Sequence, residues 1–545
     1  MLAGVEVTSM ARPWLEHYPP GLGASLDYPK VPLYRLLQAS AQRFPARSAI
    51  IEFDGETGRE TSGKSYRALD DESSRLAVAL VRLGVVKGDR VAYFLQNSPA
   101  LVVSFYGILK AGAVPVPCNP MYQADEFSHQ VSDSGATTVI CDLQSLPVVD
   151  EVKEETGLQL VIVAGPSGDQ GNGICGLDDL IAEHSPTEIL PDITPEEDLA
   201  LLPYTGGTTG VPKGAMLTHA NMVANAIQFS RWFDYQPGEE VFIAALPLSH
   251  IGGIAGVMSV PIAIGGTIVL FRRFHPQGVL KAIQRYRATR FLGVPTMYIN
   301  LLGQPDLPRY DLSSMGPSRT SAAPLPEAVK EAFDKVVGRE VLVEGYGLTE
   351  TSPLTHVNPP QRARLGSIGV PLPDTDARVV DPDNRTRVLS TGETGELALR
   401  GPQVMRGYWN GPDATAEVML DGWFHTGDLA RMDEEGYFYI VDRIKDVINA
   451  AGFKVWPREV EEALYRHPSV RMVAVAGTPD AYRGETVKAT VVLRDGVRDS
   501  EDALREALTA HCRQQLAAYK VPRIIEFRDS LPVSVAGKVL RRELR

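Results

Sequence analysis

The glycine-rich run at residues 204–214 restricts most strongly what this 545-residue chain can fold into. It follows a strand-like apolar stretch at 199–203 and precedes a helix-like stretch at 221–232. Glycines let backbone N–H groups approach an anion closely, threonine hydroxyls add donors, and lysine adds a compact positive charge. A strand, such a loop and a helix in succession are typical of phosphate binding in an α/β fold. The candidate phosphate ligands are Thr205, Gly206, Gly207, Thr208, Thr209, Gly210 and Lys213.

Apolar runs alternate with helix-like segments before this loop. The strand-like runs are residues 90–95, 113–116, 137–141 and 160–163, and the helix-like segments are 101–110 and 125–134. This alternation predicts βαβ units and a parallel sheet covered on both faces. The last hundred residues predict a smaller α+β unit instead, with helices at 457–467 and 501–519 and strands at 470–476, 486–493 and 523–527.

Three later segments accompany the loop. They are Glu-Gly-Tyr-Gly-Leu-Thr-Glu at 344–350, Gly-Trp-Phe-His-Thr-Gly-Asp-Leu at 422–429 and Asp-Arg-Ile-Lys-Asp at 442–446. In this order, from Thr205 to Lys538, the set resembles the acyl-adenylate-forming superfamily, which includes acyl-CoA synthetases, firefly luciferase and the adenylation domains of peptide synthetases. Gly206 stands where many members carry serine, a form similar to that of the bacterial fatty-acid–CoA ligases.

The resemblance implies an α/β fold in two parts. A large N-terminal body of several subdomains with parallel βαβ sheets is expected over residues 1–441, where ATP and the acid would bind. A hinge at 442–446, turning at Lys445, would join it to a small mobile C-terminal α+β lid over 447–545.

The resemblance also implies roles for single residues. Lys538 would bridge the acid carboxylate and the α-phosphate, Glu350 would bind magnesium, Thr349 would contact the α-phosphate, and Asp428 and Arg443 would bind the ribose. A hard carboxylate oxygen suits a hard cation that also binds phosphates.

Further positions follow from the same resemblance. Ser321, Ala322 and Ala323, together with Glu344, Gly345, Tyr346 and Gly347, would frame the adenine. His250 would lie at the carboxylate end of the acyl pocket, and Gly452 would let the pantetheine arm of CoA pass close to the backbone. Apart from the resemblance, the sequence offers apolar and aromatic residues that could wall such a pocket around Phe229, Trp232, Phe233, Phe242 and Met258.

The implied activity is that of an AMP-forming acyl-CoA synthetase using ATP, Mg²⁺ and CoA. A carboxylate is a poor acyl donor, so ATP first converts it to acyl-AMP, and the thiol of CoA then displaces AMP. The expected substrate is a medium- or long-chain fatty acid. Three alternatives stay open at this point: an aryl-acid ligase similar to 4-coumarate–CoA ligase, an enzyme that loads a carrier protein, and a luciferase-like oxygenase.

Composition restricts the partners. A net charge of −13 disfavours general nucleic-acid binding, although residues 447–545 hold 17 basic against 13 acidic residues. Four widely spaced cysteines and an N-terminus without a signal-peptide pattern predict a cytoplasmic protein. The uncharged stretch 251–271 is long enough to span a membrane, but five glycines and Pro261 predict a buried helix, turn and strand instead. Peripheral membrane contact and a homodimer stay open.

One motif suggests a second, different phosphate-binding loop. Residues 58–65, Gly-Arg-Glu-Thr-Ser-Gly-Lys-Ser, match the Walker A pattern of P-loop nucleotidases. The preceding apolar run, 49–53, ends several residues before Gly58, so the loop would not leave a strand directly as that mechanism requires. We therefore predict a polar hairpin or loop leading to a helix that starts near Tyr66.

Overall fold

The computed structural model describes residues 12–165, 174–186, 191–205, 212–443, 446–450, 453–480, 483–534 and 537–544. Its α-helices are α1 Tyr34–Arg43, α2 Tyr66–Arg82, α3 Pro99–Lys110, α4 Ala124–Ser134, α5 Leu146–Thr156, α6 Leu177–Glu183, α7 His219–Trp232, α8 Ile251–Gly253, α9 Val260–Ala263, α10 Pro276–Tyr286, α11 Pro295–Leu302, α12 Glu327–Val337, α13 Pro412–Val418, α14 Pro457–Tyr465 and α15 Glu501–Gln515. Short 3₁₀ helices lie at Pro13–His17, Leu307–Arg309, Thr349–Thr351 and Arg541–Leu544, and a π-helix at Ile254–Ser259.

The strands of the first half are β1 Ser48–Asp54, β2 Arg59–Ser65, β3 Arg90–Phe94, β4 Val114–Pro117, β5 Thr138–Cys141, β6 Leu160–Val163, β7 Ile174–Gly176, β8 Leu199–Leu201, β9 Tyr204–Thr205, β10 Lys213–Gly214, β11 Leu217–Thr218, β12 Val241–Ala244 and β13 Thr267–Leu270. Those of the second half are β14 Arg290–Gly293, β15 Ser318–Thr320, β16 Leu342–Gly347, β17 Leu354–Val357, β18 Val370–Pro371, β19 Asp376–Val380, β20 Gly395–Arg400, β21 Met419–Leu420, β22 Trp423–Met432, β23 Phe438–Arg443, β24 Ile448–Ala450, β25 Phe453–Val455, β26 Val470–Asp480, β27 Gly484–Leu493 and β28 Ile524–Phe527.

Two mainly parallel sheets form the large part of the molecule. Among the described residues, one has nine strands in the order β18-β17-β16-β15-β14-β12-β13-β1-β2, with parallel pairing from β1 through β16 and antiparallel strands at both edges. The other is wholly parallel, in the order β4-β3-β5-β6-β7. The predicted α/β class is confirmed, and strands β3 to β6 begin and end within two residues of the predicted runs.

Antiparallel strands dominate the C-terminal part of the chain. Strands β19 to β23 form one sheet, and β24 to β28 form another, in which β28 alone pairs in parallel. The last sheet and helices α14 and α15 enclose their own apolar cluster, which includes Val460, Val475, Leu508 and Ile525. The predicted α+β character of this part is confirmed.

The uncharged stretch 251–271 is a buried part of the nine-stranded sheet region. Helix α8, the π-helix and α9 run to a turn at Gly265, and β13 follows as an interior strand of the sheet, between β12 and β1. Within the described ranges, no helix is both long and apolar enough to span a bilayer. All four cysteines, which lie in described residues, are free thiols.

The Walker-like segment is a β-strand. Strand β2 carries residues 59–65 of the motif and pairs with β1 as an antiparallel hairpin, and helix α2 begins at Tyr66 as predicted. The Lys64 ammonium lies 2.6 Å from the Glu72 carboxylate. The hairpin interpretation is therefore confirmed, since the lysine belongs to an ion pair on a strand and not to a phosphate loop.

We expect Lys64→Ala to leave the KM for ATP unchanged. The substitution removes a partly exposed ion pair, which typically contributes about 1 kcal/mol or less to the free energy of unfolding. Steady-state kinetics with varied ATP check the prediction. A large rise in the KM for ATP would instead show that the Walker-like segment binds phosphate.

Candidate active site

The two ends of the glycine-rich loop meet in a hairpin. Strand β9 pairs with β10 so that Thr205 and Lys213 are partners, and the Thr205 hydroxyl donates to the Lys213 carbonyl at 3.4 Å. The Lys213 ammonium lies 5.3 Å from the centre of the Tyr408 ring. Gly206, Gly207, Thr208, Thr209 and Gly210 lie outside the described residues.

The helix after this loop begins later than a Walker helix would. Strand β11 intervenes, and α7 starts at His219, where the Thr218 hydroxyl caps it by accepting from the Asn221 N–H at 3.1 Å. The sequence prediction placed the start at residue 221 because it missed this cap. The hairpin is thus separated from the helix N-terminus, and phosphate donors would have to come from the hairpin itself.

The segments expected at the adenine lie at the carboxyl ends of neighbouring parallel strands. Strand β15 pairs with β16 in a register that sets Thr320 beside Glu344, so residues 321–323 leave the sheet beside the last residues of β16, which runs on to Gly347. Carboxyl ends of parallel strands are where α/β sheets bind ligands. Ala322 has a φ of +71°, a left-handed conformation that non-glycine residues adopt infrequently and that recurs at functional sites.

The side chain of Glu344 makes different contacts from those expected of a residue at the adenine. Its carboxylate accepts from the Leu325 N–H at 3.4 Å and lies 3.8 Å from the Arg458 guanidinium. Burial raises the pKa of Glu344 to about 7, against the opposing effect of Arg458. This side chain therefore contacts the C-terminal part of the chain, and its backbone is what remains to frame a ligand.

A second cluster joins strands β16, β22 and β23. The Tyr346 hydroxyl donates to Asp428 Oδ2 at 2.5 Å, and Arg443 Nε lies 3.3 Å from Asp428 Oδ1. Asp428 and Arg443 are direct cross-strand partners. Burial, and then the Asp428 carboxylate, raise the pKa of Tyr346 well above its ordinary value, so the phenol stays protonated. The arrangement presents a carboxylate and a guanidinium side by side, as a ribose-binding pair requires.

Glu350 is a buried carboxylate with a single neutral partner. The Tyr408 hydroxyl donates to its Oε1 at 2.7 Å, and no lysine or arginine among the described residues forms an ion pair with it. Burial raises the pKa of Glu350 above its ordinary value. A divalent cation would relieve this desolvated charge, so Glu350 fits a Mg²⁺ ligand. Thr349 precedes it in the same 3₁₀ turn.

The other ligands of such a cation would have to come from the substrate. Within the described ranges, no group of three or more His, Cys, Asp or Glu side chains could hold a metal ion. A single carboxylate combined with phosphate oxygens is how Mg²⁺ commonly binds with a nucleotide.

Lys538 reaches the site on a turn that packs against the body. Thr296 Oγ1 donates to the Gly537 carbonyl at 3.3 Å, and a Cβ at Gly537 would lie 2.6 Å from the Val294 side chain. With a φ of +76°, Gly537 is also in a conformation that favours glycine. Burial, and then Arg443, lower the pKa of Lys538 to about 8, whereas Asp428 opposes them. Lys538 therefore lies within electrostatic reach of the Asp428–Arg443 pair.

His250 completes the cluster from the other side. Its Nδ1 accepts from the Gly252 N–H at 3.2 Å and caps helix α8. The residue keeps solvent-accessible surface, but desolvation by the surrounding protein atoms and then the charge of Lys538 lower the pKa of its imidazole to about 4. At neutral pH this imidazole is therefore uncharged.

Arg541 and Arg458 connect the C-terminal part to the strand before it. Arg541 pairs with Asp442 at 3.4 Å and, within the C-terminal part, with Glu461 at 2.7 Å, and Arg458 donates to the Ile440 carbonyl at 2.9 Å. Burial raises the pKa of Asp442 to about 6, against the opposing effect of Arg541. These contacts keep the segment that carries Lys538 against the body.

The structure thus brings together six of the residues selected from the sequence. Tyr346, Asp428 and Arg443 are in direct contact, and Glu350, Lys538 and His250 lie within electrostatic reach of this cluster or of one another. Lys445 and Gly452 lie outside the described residues. Sequence reasoning missed Tyr408 and Thr296, because neither belongs to a recognisable motif and each reaches the site only through a tertiary contact.

Comparison with known families agrees with this site. A family model described as AMP-binding enzyme matches residues 37–409, and one described as AMP-binding enzyme C-terminal domain matches residues 459–538. The chain therefore belongs to the AMP-binding enzyme family.

Individual proteins similar to this chain include CoA ligases and a CoA synthase. A long-chain-fatty-acid–CoA ligase from Bacillus subtilis (strain 168) is 42% identical over 98% of this chain and 97% of its own length. A feruloyl-CoA synthase from Amycolatopsis sp is 38% identical over 88% of this chain and 93% of its own. The crystal structure of the anthranilate CoA ligase AuaEII in complex with anthranoyl-AMP aligns with a TM-score of 0.87 at 29% identity, over 96% of this chain and 98% of that chain.

Proposed function

We propose that this protein is an AMP-forming fatty-acid–CoA ligase that activates a medium- or long-chain acid as acyl-AMP and transfers the acyl group to CoA. Its substrates are ATP, CoA and the acid, with Mg²⁺ as the metal. The observation that supports the proposal is that Lys538 lies within electrostatic reach of Asp428, Arg443 and His250, because a cation near a carboxylate–guanidinium pair suits a step that joins an acid to a nucleotide.

We propose roles for the residues that are consistent with their positions. In the first step the acid carboxylate attacks the α-phosphate of ATP, and pyrophosphate leaves. Both reacting groups are anionic, so the step needs fixed cations more than a nucleophilic side chain. Lys538 would bridge the two anions, while Asp428 and Arg443 hold the ribose. Thr349 would donate to the α-phosphate.

Glu350 would hold the cation that neutralises the ATP phosphates. Mg²⁺ supplies a Lewis acid and charge neutralisation when bound. The Tyr408 hydroxyl orients the carboxylate by occupying Oε1. His250, which is uncharged at neutral pH, would lie beside the acid carboxylate, so that Lys538 and not His250 would be the cation paired with it.

The second step requires CoA to enter from the C-terminal side. We propose residues 442–446, with Lys445 as pivot, as the hinge between a body at 1–441 and a lid at 447–545, and Gly452 as the passage for pantetheine. The salt bridge between Arg541 and Asp442 would have to break or move during that rotation, whereas the one between Arg541 and Glu461 lies within the lid and would move with it. The cytoplasm is the proposed location, supported by four free thiols.

Aryl acids are the second candidate substrate class. The similarity to a feruloyl-CoA synthase and to the anthranilate ligase structure favours testing them. Pyrophosphate release with ATP and Mg²⁺, measured across fatty, aryl and amino acids with and without CoA, tests the proposal. CoA-dependent turnover of a fatty acid is expected. Turnover of only aryl acids or only amino acids would instead identify an aryl-acid ligase or an amino-acid-adenylating enzyme. No turnover with any acid would refute the ligase activity.

The adenylation step is expected to lose rate as the pH rises through about 8. The Lys538 ammonium is the active form, and its pKa of about 8 means that its charge is present below that pH and is lost above it. The dependence should show in kcat/KM, which reports the free enzyme. Lys538→Arg, which stays cationic, should remove this alkaline limb; an identical limb in the variant would assign it to another group.

A further inference from the structure

Arg319 is a buried cation without a counterion among the described residues. It lies in the middle of β15, and 3% of its surface is exposed. Its Nε has no hydrogen-bond partner, and no carboxylate in the part of the chain that the structure describes forms an ion pair with it. The guanidinium instead lies 4.5 Å from the centre of the Phe229 ring.

The neighbouring strand shows what a paired arginine looks like in this sheet. Arg290 on β14 is also buried, and its guanidinium lies 2.9 Å from the Glu240 carboxylate. Burial lowers the pKa of Arg319 to about 10, so it still carries its charge at neutral pH. Buried charges in proteins are normally paired, and an aromatic face offsets only part of the desolvation cost. The missing anion has therefore to be sought outside the described chain.

Two glycines place Arg319 at the site. A Cβ at Gly345, between Glu344 and Tyr346, would lie 2.9 Å from Arg319 Cδ. A Cβ at Gly256 would lie 3.5 Å from Arg319 Nη2. Gly345 belongs to the segment expected at the adenine, and Gly256 follows His250 by more than one helical turn.

The third neighbour belongs to the expected acyl pocket. Phe229 is one of the residues that sequence reasoning placed on its wall. The π-helix that carries Gly256 is itself a rare conformation, frequent at functional sites. Arg319 thus sits between the nucleotide segment, the helix that begins at His250 and the pocket wall.

We infer that Arg319 is a specificity-determining residue, whose guanidinium receives a second carboxylate at the far end of the acid substrate. The inference rests on the proposed function and deepens it by naming the kind of medium- or long-chain acid that is preferred, one whose far end carries a second carboxylate (an α,ω-dicarboxylic acid), with plain fatty acids of equal length as slower substrates. A guanidinium binds a carboxylate through two parallel N–H···O bonds, and such a bond pair would supply the missing counterion.

The position of Arg319 also sets a chain-length requirement. With one carboxylate beside His250 and Lys538 and the other at Arg319, several methylene groups must separate them, since Gly256 is more than a helical turn beyond His250. The methyl end of a monocarboxylic acid would leave the cation unpaired. We therefore expect discrimination between acids of equal length that differ only at the far end.

Matched pairs of acids test this directly. Thioester formation with ATP, Mg²⁺ and CoA is measured for adipate against hexanoate, suberate against octanoate and sebacate against decanoate. The wild-type protein is expected to favour the diacid of its best pair by at least about 100-fold in kcat/KM, because a site built for a polar group rejects the analogue that lacks it.

Two variants separate recognition from folding. Arg319→Met keeps an apolar side chain of similar length and should reverse the preference toward the monoacid, whereas Arg319→Lys should keep part of it. The ratio within one preparation does not depend on how much protein is folded. A wild-type preference for the monoacid at every length, or an unchanged ratio in Arg319→Met, overturns the inference and leaves the ligase intact. Absence of AMP and thioester with every acid refutes the proposed function instead.

Discussion

Replacing Lys538 by alanine is expected to slow acyl-adenylate formation by about 10³-fold, the upper range for loss of one preorganised group that stabilises transition-state charge. The ammonium lies within reach of the Asp428–Arg443 pair and of His250, so no other cation on the same turn can replace it where the acid and the α-phosphate would meet. Pyrophosphate release with ATP and the best acid measures the effect.

The second half-reaction serves as the internal control. Thioester formation from supplied acyl-AMP and CoA should stay within a few-fold of the wild-type rate, because the acid is already activated. Lys335→Ala removes an exposed lysine from helix α12 and should change neither step. Equal loss of both half-reactions in Lys538→Ala would contradict the assignment of Lys538 to adenylation alone.

Replacing Glu350 by glutamine should raise the Mg²⁺ concentration needed for half-maximal adenylation and lower the rate at limiting Mg²⁺ by about 10²-fold, as expected for loss of a charged ligand. Glutamine keeps the shape and an acceptor for the Tyr408 hydroxyl. Mg²⁺ titrations of pyrophosphate release give both quantities.

The same substitution should not weaken the fold. Burial raises the pKa of Glu350, which means that its charge destabilises the folded protein, and a neutral isostere removes that cost. Thermal unfolding without Mg²⁺ should therefore give an unchanged or higher Tm. Glu331→Gln, an exposed carboxylate on α12, is the matched control. An unaltered Mg²⁺ dependence in Glu350→Gln would remove Glu350 from the metal site.

Much of the fold was predictable because its signals are local. A strand such as β5 or a helix such as α4 is specified by apolar spacing and flanking residues within a few positions. The ends of the helices were less predictable. Helix α7 begins two residues early because a threonine side chain caps it, and α15 ends at Gln515, four residues before the predicted end.

In the candidate site, too, some features were predictable from the sequence and others were not. Motifs in chain order were sufficient to select Tyr346, Asp428, Arg443 and Lys538, although their spacing says nothing of their geometry. That geometry depends on the register of β22 against β23, which makes Asp428 and Arg443 direct partners, and on the packing of Gly537 against Val294. A register is set by whole faces of a sheet, and a single residue does not reveal it.

By itself the sequence determined the family, the chemistry and the residue types, because phosphate loops and catalytic lysines lie in short motifs that neighbouring residues define. Only the tertiary structure decided which buried charged side chains lack a partner of opposite charge. Glu350 is desolvated beside Tyr408, fifty-eight positions away, and Arg319 has no carboxylate partner among the described residues whereas Arg290 has Glu240. The cost of a buried charge depends on everything packed around it, and that surrounding is assembled from distant parts of the chain.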